Sequence, residues 1–581
     1  MTILLEKTFE RTLDRLVADY ATPANRGGQL EAWVFEDAET RQAGERRLAE
    51  HGVTARIRSA YKPLVHAFLE EIDLEGVEEV RVTYPLLGEM PRRFRLEAYP
   101  LAALVAPARL VFTEEEEGGF TYRVALVRAD GRSRTFDVFA PNRAHTDPIG
   151  MTVTSPTGWL KWTGPDGDME ERRLETDYEA LFSAAVDVIA RYPWGEEEPY
   201  FEALSIRAEL PVRDRPLPHG HESISLCEAL HEDLYFSALE IFQKKSGRPL
   251  GDRGLRPGQI VPEVLNGEGA PRLRVEARAL QASAWSGPKY DLDSAPAAIG
   301  PGQVGAVLDS LGGRRFTARS RAGRKVEGLY RPGADPAVMI SGGQHANETS
   351  GVIGALRAAK RLAGLPEAHF AVSPLENPDG YALHHHLCAA HPAHMHHAAR
   401  YTAFGNDLEF EPEPAEGAAG FEKDIRWQAE ALCAPKLHVN LHGYPAHEWT
   451  RPLTGYVPRG FEMWTIPKGF FLVLRHHPDW EERGARLIEA VTAHLDRVPG
   501  LRAFNEAQIA LFEIHAGETG FRIVNGVPCL ISVETRHAAP LTLITEYPDE
   551  TITGADFVQA HTAQMETVLA AYHAFRQMML S

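Results

Sequence analysis

The chain has 581 residues, too many for one hydrophobic core, so roughly two to four domains are expected. Its formal net charge of −20 excludes nucleic acid as the main partner, because phosphate binding needs a net basic surface. No run approaches the ~18 apolar residues that cross a bilayer, so no membrane partner is expected.

The opening "MTILLEKTFERTLDRLVADY" has charges every few positions and reads as an amphipathic helix, not a signal peptide. "GQLEAWVFED", "AETRQAGERRLAEHG" and "VTARIRSAY" read as strand, helix and strand, a small mixed region over 1–78. A β-rich region, 79–175, follows. "VEEVRVTYPL", "RFRLEAYPL" and "MTVTSPTGWLKW" read as strands, and "RADGRS" between alternating runs signals a hairpin. Residues 176–300 form an α+β connecting region. It contains a helix from Ser223 to Lys245 and a strand at "PRLRVEARAL", and it ends in a linker, "SGPKYDLDSAPAAIGPGQ". Beyond it, over 301–581, apolar strands such as "PAVMISGGQH", "HFAVSPLENPDG", "KLHVNLHG", "GFFLVLRHH" and "VPCLISVETR" alternate with helices. That pattern predicts an α/β domain with a largely buried sheet and functional residues at strand ends.

Three anchors in this second half carry candidate chemistry. In "SGGQHANETSG", His345 and Glu348 lie between a strand and a helix, where a turn brings an imidazole and a carboxylate together. Zn²⁺ accepts such N/O ligands, and a catalytic zinc keeps three protein ligands plus water. His442 ends the apolar strand of "LHVNLHGYP" before Gly443 and is the candidate third ligand, with His438, deeper on the same face, ranked below it. Glu534 follows the apolar run of "PCLISVETRH" as the candidate general base; its structural alternative is an ion pair with Arg536. The seven histidines from His384 to His397 read as a solvated loop or helix before a metal site. The cysteines at 227, 388, 433 and 529 lack CxxC spacing, which argues against a disulfide framework and against a thiolate zinc site.

Taken in order, His345-x-x-Glu348, "ENPDGY" from Glu376 to Tyr381, His442 before Gly443, and Glu534-Thr-Arg resemble the zinc metallocarboxypeptidases of the carboxypeptidase A type. "RSRAGRKVEGLY" is similar to that family's lead-in, and the resemblance spans about Gly302 to Ser581. It implies one Zn²⁺ per chain held by His345, Glu348 and His442, with Glu534 activating water and Arg400 steadying the oxyanion. It also implies a carboxypeptidase-like α/β domain with a mixed sheet flanked by helices, preceded by mixed α+β and β-rich regions.

The chain departs from the family where an Asn-Arg pair grips the substrate carboxylate. In "FGNDLEFEP", Gly405, Asp407 and Leu408 fit, but Glu409 and Phe410 occupy the gripping positions. Either Arg451 supplies a replacement clamp, or the substrate carries an amine or a neutral group suited to Glu409. Tyr444, just past His442, is a further substrate-binding candidate. The leading expectation is a cytoplasmic zinc peptidase or amide hydrolase of atypical specificity acting on small peptides or amides. The alternatives are a deacylase of the aspartoacylase and succinylglutamate desuccinylase type, and a non-catalytic binding protein on a peptidase fold. The N-terminal regions carry no chemical motif; gating, far-end substrate binding and homo-oligomer formation are the expectations for them.

Overall fold

The computed structural model describes residues 1–580 apart from 89, 117–118, 282–284 and 415–419. In the C-terminal half one mixed sheet is built from β1 (Arg314–Arg319), β2 (Lys325–Arg331), β3 (Val338–Gly342), β4 (Phe370–Leu375), β5 (Leu437–Pro445), β6 (Phe471–His476), β7 (Arg522–Val524), β8 (Val527–Val533) and β9 (Leu541–Glu550). Their spatial order is β1-β2-β4-β3-β5-β9-β6-β8-β7. The central strands β4, β3, β5 and β9 run parallel. β6 turns against them, antiparallel to β9, and β8 runs with β6. Every residue of β5 is buried, as expected of a strand covered on both faces.

From residue 226 onward the α-helices among the described residues are α1 (Leu226–Ser246), α2 (Pro301–Ser310), α3 (Ser350–Ala363), α4 (Pro378–Cys388), α5 (Asp424–Cys433), α6 (Glu481–Leu495), α7 (Leu501–Ala516) and α8 (Gly554–Leu580). α3 buries Val352, Ile353, Leu356 and Ala359, and α8 packs beside it with Ala560, Ala563 and Val568 in the same core. Small residues at the helix contact let the backbones approach closely. The molecule is thus mixed α/β, with sheets flanked by helices.

Three expected elements differ from the observed ones, and one strand is new. The N-terminus does not begin as a helix. Thr2–Thr8 is a strand paired antiparallel with Arg272–Arg278, and the helix starts only at Thr12. "RFRLEAYPL" forms two short helices, Arg93–Glu97 and Leu101–Leu104, because Phe94 and Leu101 must enter the core beneath Tyr84 and Tyr122. The linker is not loose: Leu292, Ala295 and Ile299 are buried in the core of the C-terminal half. β9, unread in the sequence, lies beside β5 near the centre of the large sheet. In the first half, Thr2–Thr8 and Arg272–Arg278 share a sheet with Ala203–Leu210 and Gln259–Asn266, so chain segments far apart in sequence close one layer. Among the described residues no helix is long and apolar enough to cross a membrane, and all four cysteines are free.

Candidate metal centre

The C-terminal end of β3 turns at Gly343 and delivers His345 and Glu348 just before α3. The neighbouring end of β5 delivers His442. These three side chains converge, with ligand atoms within 4.8 Å of one another. His345 Nδ1 lies 2.8 Å from Glu348 Oε1 and 3.0 Å from His442 Nδ1, and His442 Nδ1 lies 2.9 Å from Glu348 Oε2. These spacings are a few tenths of an ångström shorter than the ~3.3 Å edges of a tetrahedral zinc shell with Zn–N near 2.0–2.1 Å, so the three groups need only spread slightly to hold an ion. All three residues are buried. Burial alone would raise the Glu348 carboxyl; His345, Arg400 and His442 outweigh it and hold the group below its ordinary range. Burial pushes the His442 imidazole down, towards the neutral form a metal needs.

Supporting groups orient this set. Asp407 Oδ2 stands 3.4 Å from His345 Nε2, and Asp407 Oδ1 accepts from the Gln344 amide at 2.9 Å. The backbone N–H of Gly443 donates to Glu348 Oε2 at 3.0 Å, and Arg400 Nη1 donates to Glu348 Oε1 at 2.8 Å. His438, by contrast, contacts Ser341 Oγ at 2.7 Å and is satisfied within the sheet.

Glu534 requires a correction. It does not line the cavity at His345 and His442. Its backbone N–H bonds His476 O, and His476 pairs with Leu541, which pairs with Leu437. Glu534 therefore sits level with the start of β5, five register positions from His442 and so ~16 Å along the strand direction. The cause is strand polarity: β6 and β8 run against β5, so the C-terminal end of β8 faces the wrong edge of the sheet. Its carboxylate accepts from the Thr535 and Arg536 backbone N–H groups at 3.0 and 3.1 Å and pairs with Arg536 at 3.3 Å, as in the structural alternative.

The carboxylate beside the cluster is Glu546. It stands opposite His442 in the β5–β9 register and faces the cavity. Its enclosure in protein and the Glu348 charge push it well above the ordinary carboxylate range, against the pull of Arg400 and Lys468. The readable signal was "LTLITEYPDE", an apolar strand with a carboxylate inside it; such a group is costly unless it has a task or a partner.

The remaining candidates divide. Arg400, Glu409, Phe410 and Tyr444 line the cavity, which measures about 240 Å³. The Tyr444 hydroxyl donates to Gly469 O at 2.6 Å, and the buried ring contributes to the cavity wall. Glu409 is neutralised rather than free to receive an amine. Arg426 contacts it at 2.6 Å, His537 at 3.3 Å and Lys423 at 3.8 Å. Against the effect of burial, these groups hold its carboxyl down at about 2. Arg451 is not a clamp at this site: it is 1% exposed and donates to both Glu240 oxygens at 2.7 and 3.0 Å. The cavity draws its further positive charge from Arg253 and Arg475, which the sequence did not single out, and from Arg536, which it offered only as a partner for Glu534. Arg253 and Arg536 lie over the Phe410 ring at 5.9 and 4.9 Å.

No family model and no curated protein matches the chain. Among solved structures, it is similar to a metallo-carboxypeptidase from Burkholderia cenocepacia, at 12% identity over 55% of this chain and 77% of the other, TM-score 0.32. It is also similar to the carboxypeptidase A from Helicoverpa armigera, at 13% identity over 55% and 91%, TM-score 0.31. A metallo-carboxypeptidase from Pseudomonas aeruginosa matches at 16% identity over 54% and 74%, TM-score 0.28. Scores this low leave the functional reading to the side chains themselves.

Proposed function

We propose that the chain is a zinc-dependent peptidase or amide hydrolase of the carboxypeptidase-like type, acting on a small substrate that carries a carboxylate. One observation carries the reading: His345, Glu348 and His442 meet at the ends of β3 and β5 with Glu546 opposite on β9, in one cavity that Arg400 also enters. The His₂Glu donor set suits Zn²⁺, which when bound polarises a carbonyl and eases ionisation of water.

The chain's own groups supply the rest. Glu546 holds the proton taken from the attacking water and returns it to the leaving amine. Arg400 sets a fixed positive charge where the carbonyl oxygen gains negative charge. Arg253, Arg475 and Arg536 bind the substrate carboxylate, replacing the absent Asn-Arg pair, since guanidinium forks match carboxylates. The aromatic walls of Tyr444, Trp449, Phe461 and Trp464 take apolar parts of the substrate.

The same arginine wall accepts an N-acyl amino acid, so the test compares three probes on the zinc-loaded full chain: N-acyl dipeptides with free C-termini, their C-terminal amides, and N-acyl amino acids. Hydrolysis is expected only where a free carboxylate is present. Glu546→Gln is expected to retain zinc and lose about 10²–10⁴-fold in kcat. Glu534→Gln is expected to stay within about twofold, as for a surface substitution. A Glu546→Gln enzyme of undiminished rate contradicts the assignment; absence of turnover on every probe by the wild type favours a non-catalytic binding protein.

A further inference from the structure

The histidine-rich segment holds a second convergence of ligand atoms, with no residue in common with the first. His384 and Cys388 are four apart on α4 and so share a face, and the chain turns back to bring His396 against them. Cys388 Sγ lies 3.6 Å from His384 Nδ1 and Nε2 and 3.8 Å from His396 Nδ1. Around a tetrahedral zinc with Zn–S near 2.3 Å and Zn–N near 2.0–2.1 Å, a sulfur and a nitrogen stand ~3.6 Å apart; the sulfur is equidistant from both His384 nitrogens, so that ring must turn to present one of them. A thiol has one weakly acidic proton, too little to satisfy the ring nitrogens gathered round it.

A fourth group stands beside them on an element from the other half of the chain. His231, on α1, is 3% exposed, and its Nε2 has no hydrogen-bond partner among the described residues. Its ring meets His396 edge-on, with centroids 5.2 Å apart. A cavity of about 320 Å³, lined by His231, His391, His394 and His396 among others, reaches the cluster at His396 and gives an ion a route in. The adjacent trio Asp214, His391 and His394 is a weaker case, because His394 Nε2 already contacts Asp214 at 2.6 Å and Ser225 at 3.1 Å.

We propose that His384, Cys388 and His396 form a second metal site, distinct from the His345 centre, which takes a borderline-soft divalent cation, Zn²⁺ above Mg²⁺ or Ca²⁺, with water in the fourth position and His231 packed against His396. One thiolate with imidazoles selects that class of ion. Cys388 releases its proton to solvent as the ion binds. The reading replaces the sequence argument against a thiolate site: the spacing here is His-x₃-Cys on a helix, not CxxC. The ion ties α4 to the segment at His396 and fixes the backbone there, next to His397 and close in sequence to Arg400, both of which line the reaction cavity.

The test is cobalt(II) reconstitution of the full chain in thiol-free buffer. The His₂Glu centre contains no sulfur, so a near-ultraviolet sulfur-to-cobalt charge-transfer band reports the second site alone. The band is expected in the wild type, to persist in His345→Ala and in Cys227→Ser, and to vanish in Cys388→Ser together with one metal equivalent per chain. A folded, cobalt-loaded wild type without the band overturns the proposal, whether or not any variant folds. Persistence of the band in Cys388→Ser overturns it equally.

Discussion

His447 shows how a single residue couples the site's surroundings to pH. Its Nε2 contacts Glu228 of α1 at 2.6 Å and its Nδ1 contacts Thr551 at 3.2 Å, in a fully buried setting. Burial opposes the charged ring, but Glu228 and Glu222 overcome it and raise His447 from 6.5 to about 9. A folded-state value above the unfolded one means that the group's stabilisation is complete below 6.5. It is lost as pH rises from there through about 9, with a slope of at most ~1.4 kcal/mol per pH unit. Urea midpoints across that window are expected to fall with pH in the wild type and to flatten in His447→Gln; parallel curves contradict the assignment. At this same scale the convergence of the candidate ligands was legible: His345, Glu348 and His442 come together in space as their motifs imply. Arg451 and Glu409 were not, because a sequence shows a charge but not its partner.

The strand ends decide the chemistry at the scale of elements. β5 and β9 run parallel with His442 level with Glu546, and the Gly443 N–H donates to Glu348 at 3.0 Å. A Cβ at Gly443 would overlap Asp549 Oδ1 and lie 2.8 Å from the Tyr547 carbonyl oxygen. Asp549 cannot readily yield, because its carboxylate accepts from the Ser350 N–H at 2.8 Å at the start of α3. Gly443→Ala is therefore expected to cost about 1–3 kcal/mol in denaturant stability. It should also weaken metal retention at the His345 centre under dialysis against chelator, since the Gly443 N–H holds Glu348. Unchanged retention contradicts that coupling. The alternation of apolar strands and helices was readable in the sequence, and strand direction was not. "VPCLISVETR" has the look of a parallel strand ending at the active edge, yet pairing with β6 reverses it. Polarity is set by long-range partners such as β6–β9, which local periodicity does not encode.

At the scale of the whole molecule, α1 joins the two halves through buried acids. Glu228 accepts from the Met395 N–H at 2.8 Å, Glu232 contacts His397 Nδ1 at 2.6 Å, Asp233 accepts from the Leu453 N–H at 2.7 Å, and Glu240 takes Arg451 at 2.7 Å. The segments that these acids hold, around 394–400 and 447–454, flank the cavity, and Arg253 from the first half enters it. The N-terminal half thus shapes the site, a role invisible in a sequence whose acidic helix reads like any solvated one. Removing one member of a buried pair strands the other charge, so Arg451→Ala is expected to lower stability by about 3–5 kcal/mol. Its KM for a carboxylate substrate, measured where the variant remains folded, should be little changed. A raised KM at unchanged stability would restore Arg451 as a clamp.

The central claim is a metal held by His345, Glu348 and His442 beside Glu546. Anomalous diffraction from crystals of the zinc-loaded full chain, collected on both sides of the zinc edge, tests it most directly. A zinc peak bonded to His345 Nδ1, the Glu348 carboxylate and His442 Nδ1 is expected, with Glu546 facing the same cavity and Glu534 remote. A folded, zinc-saturated protein with no peak among those three residues would contradict it.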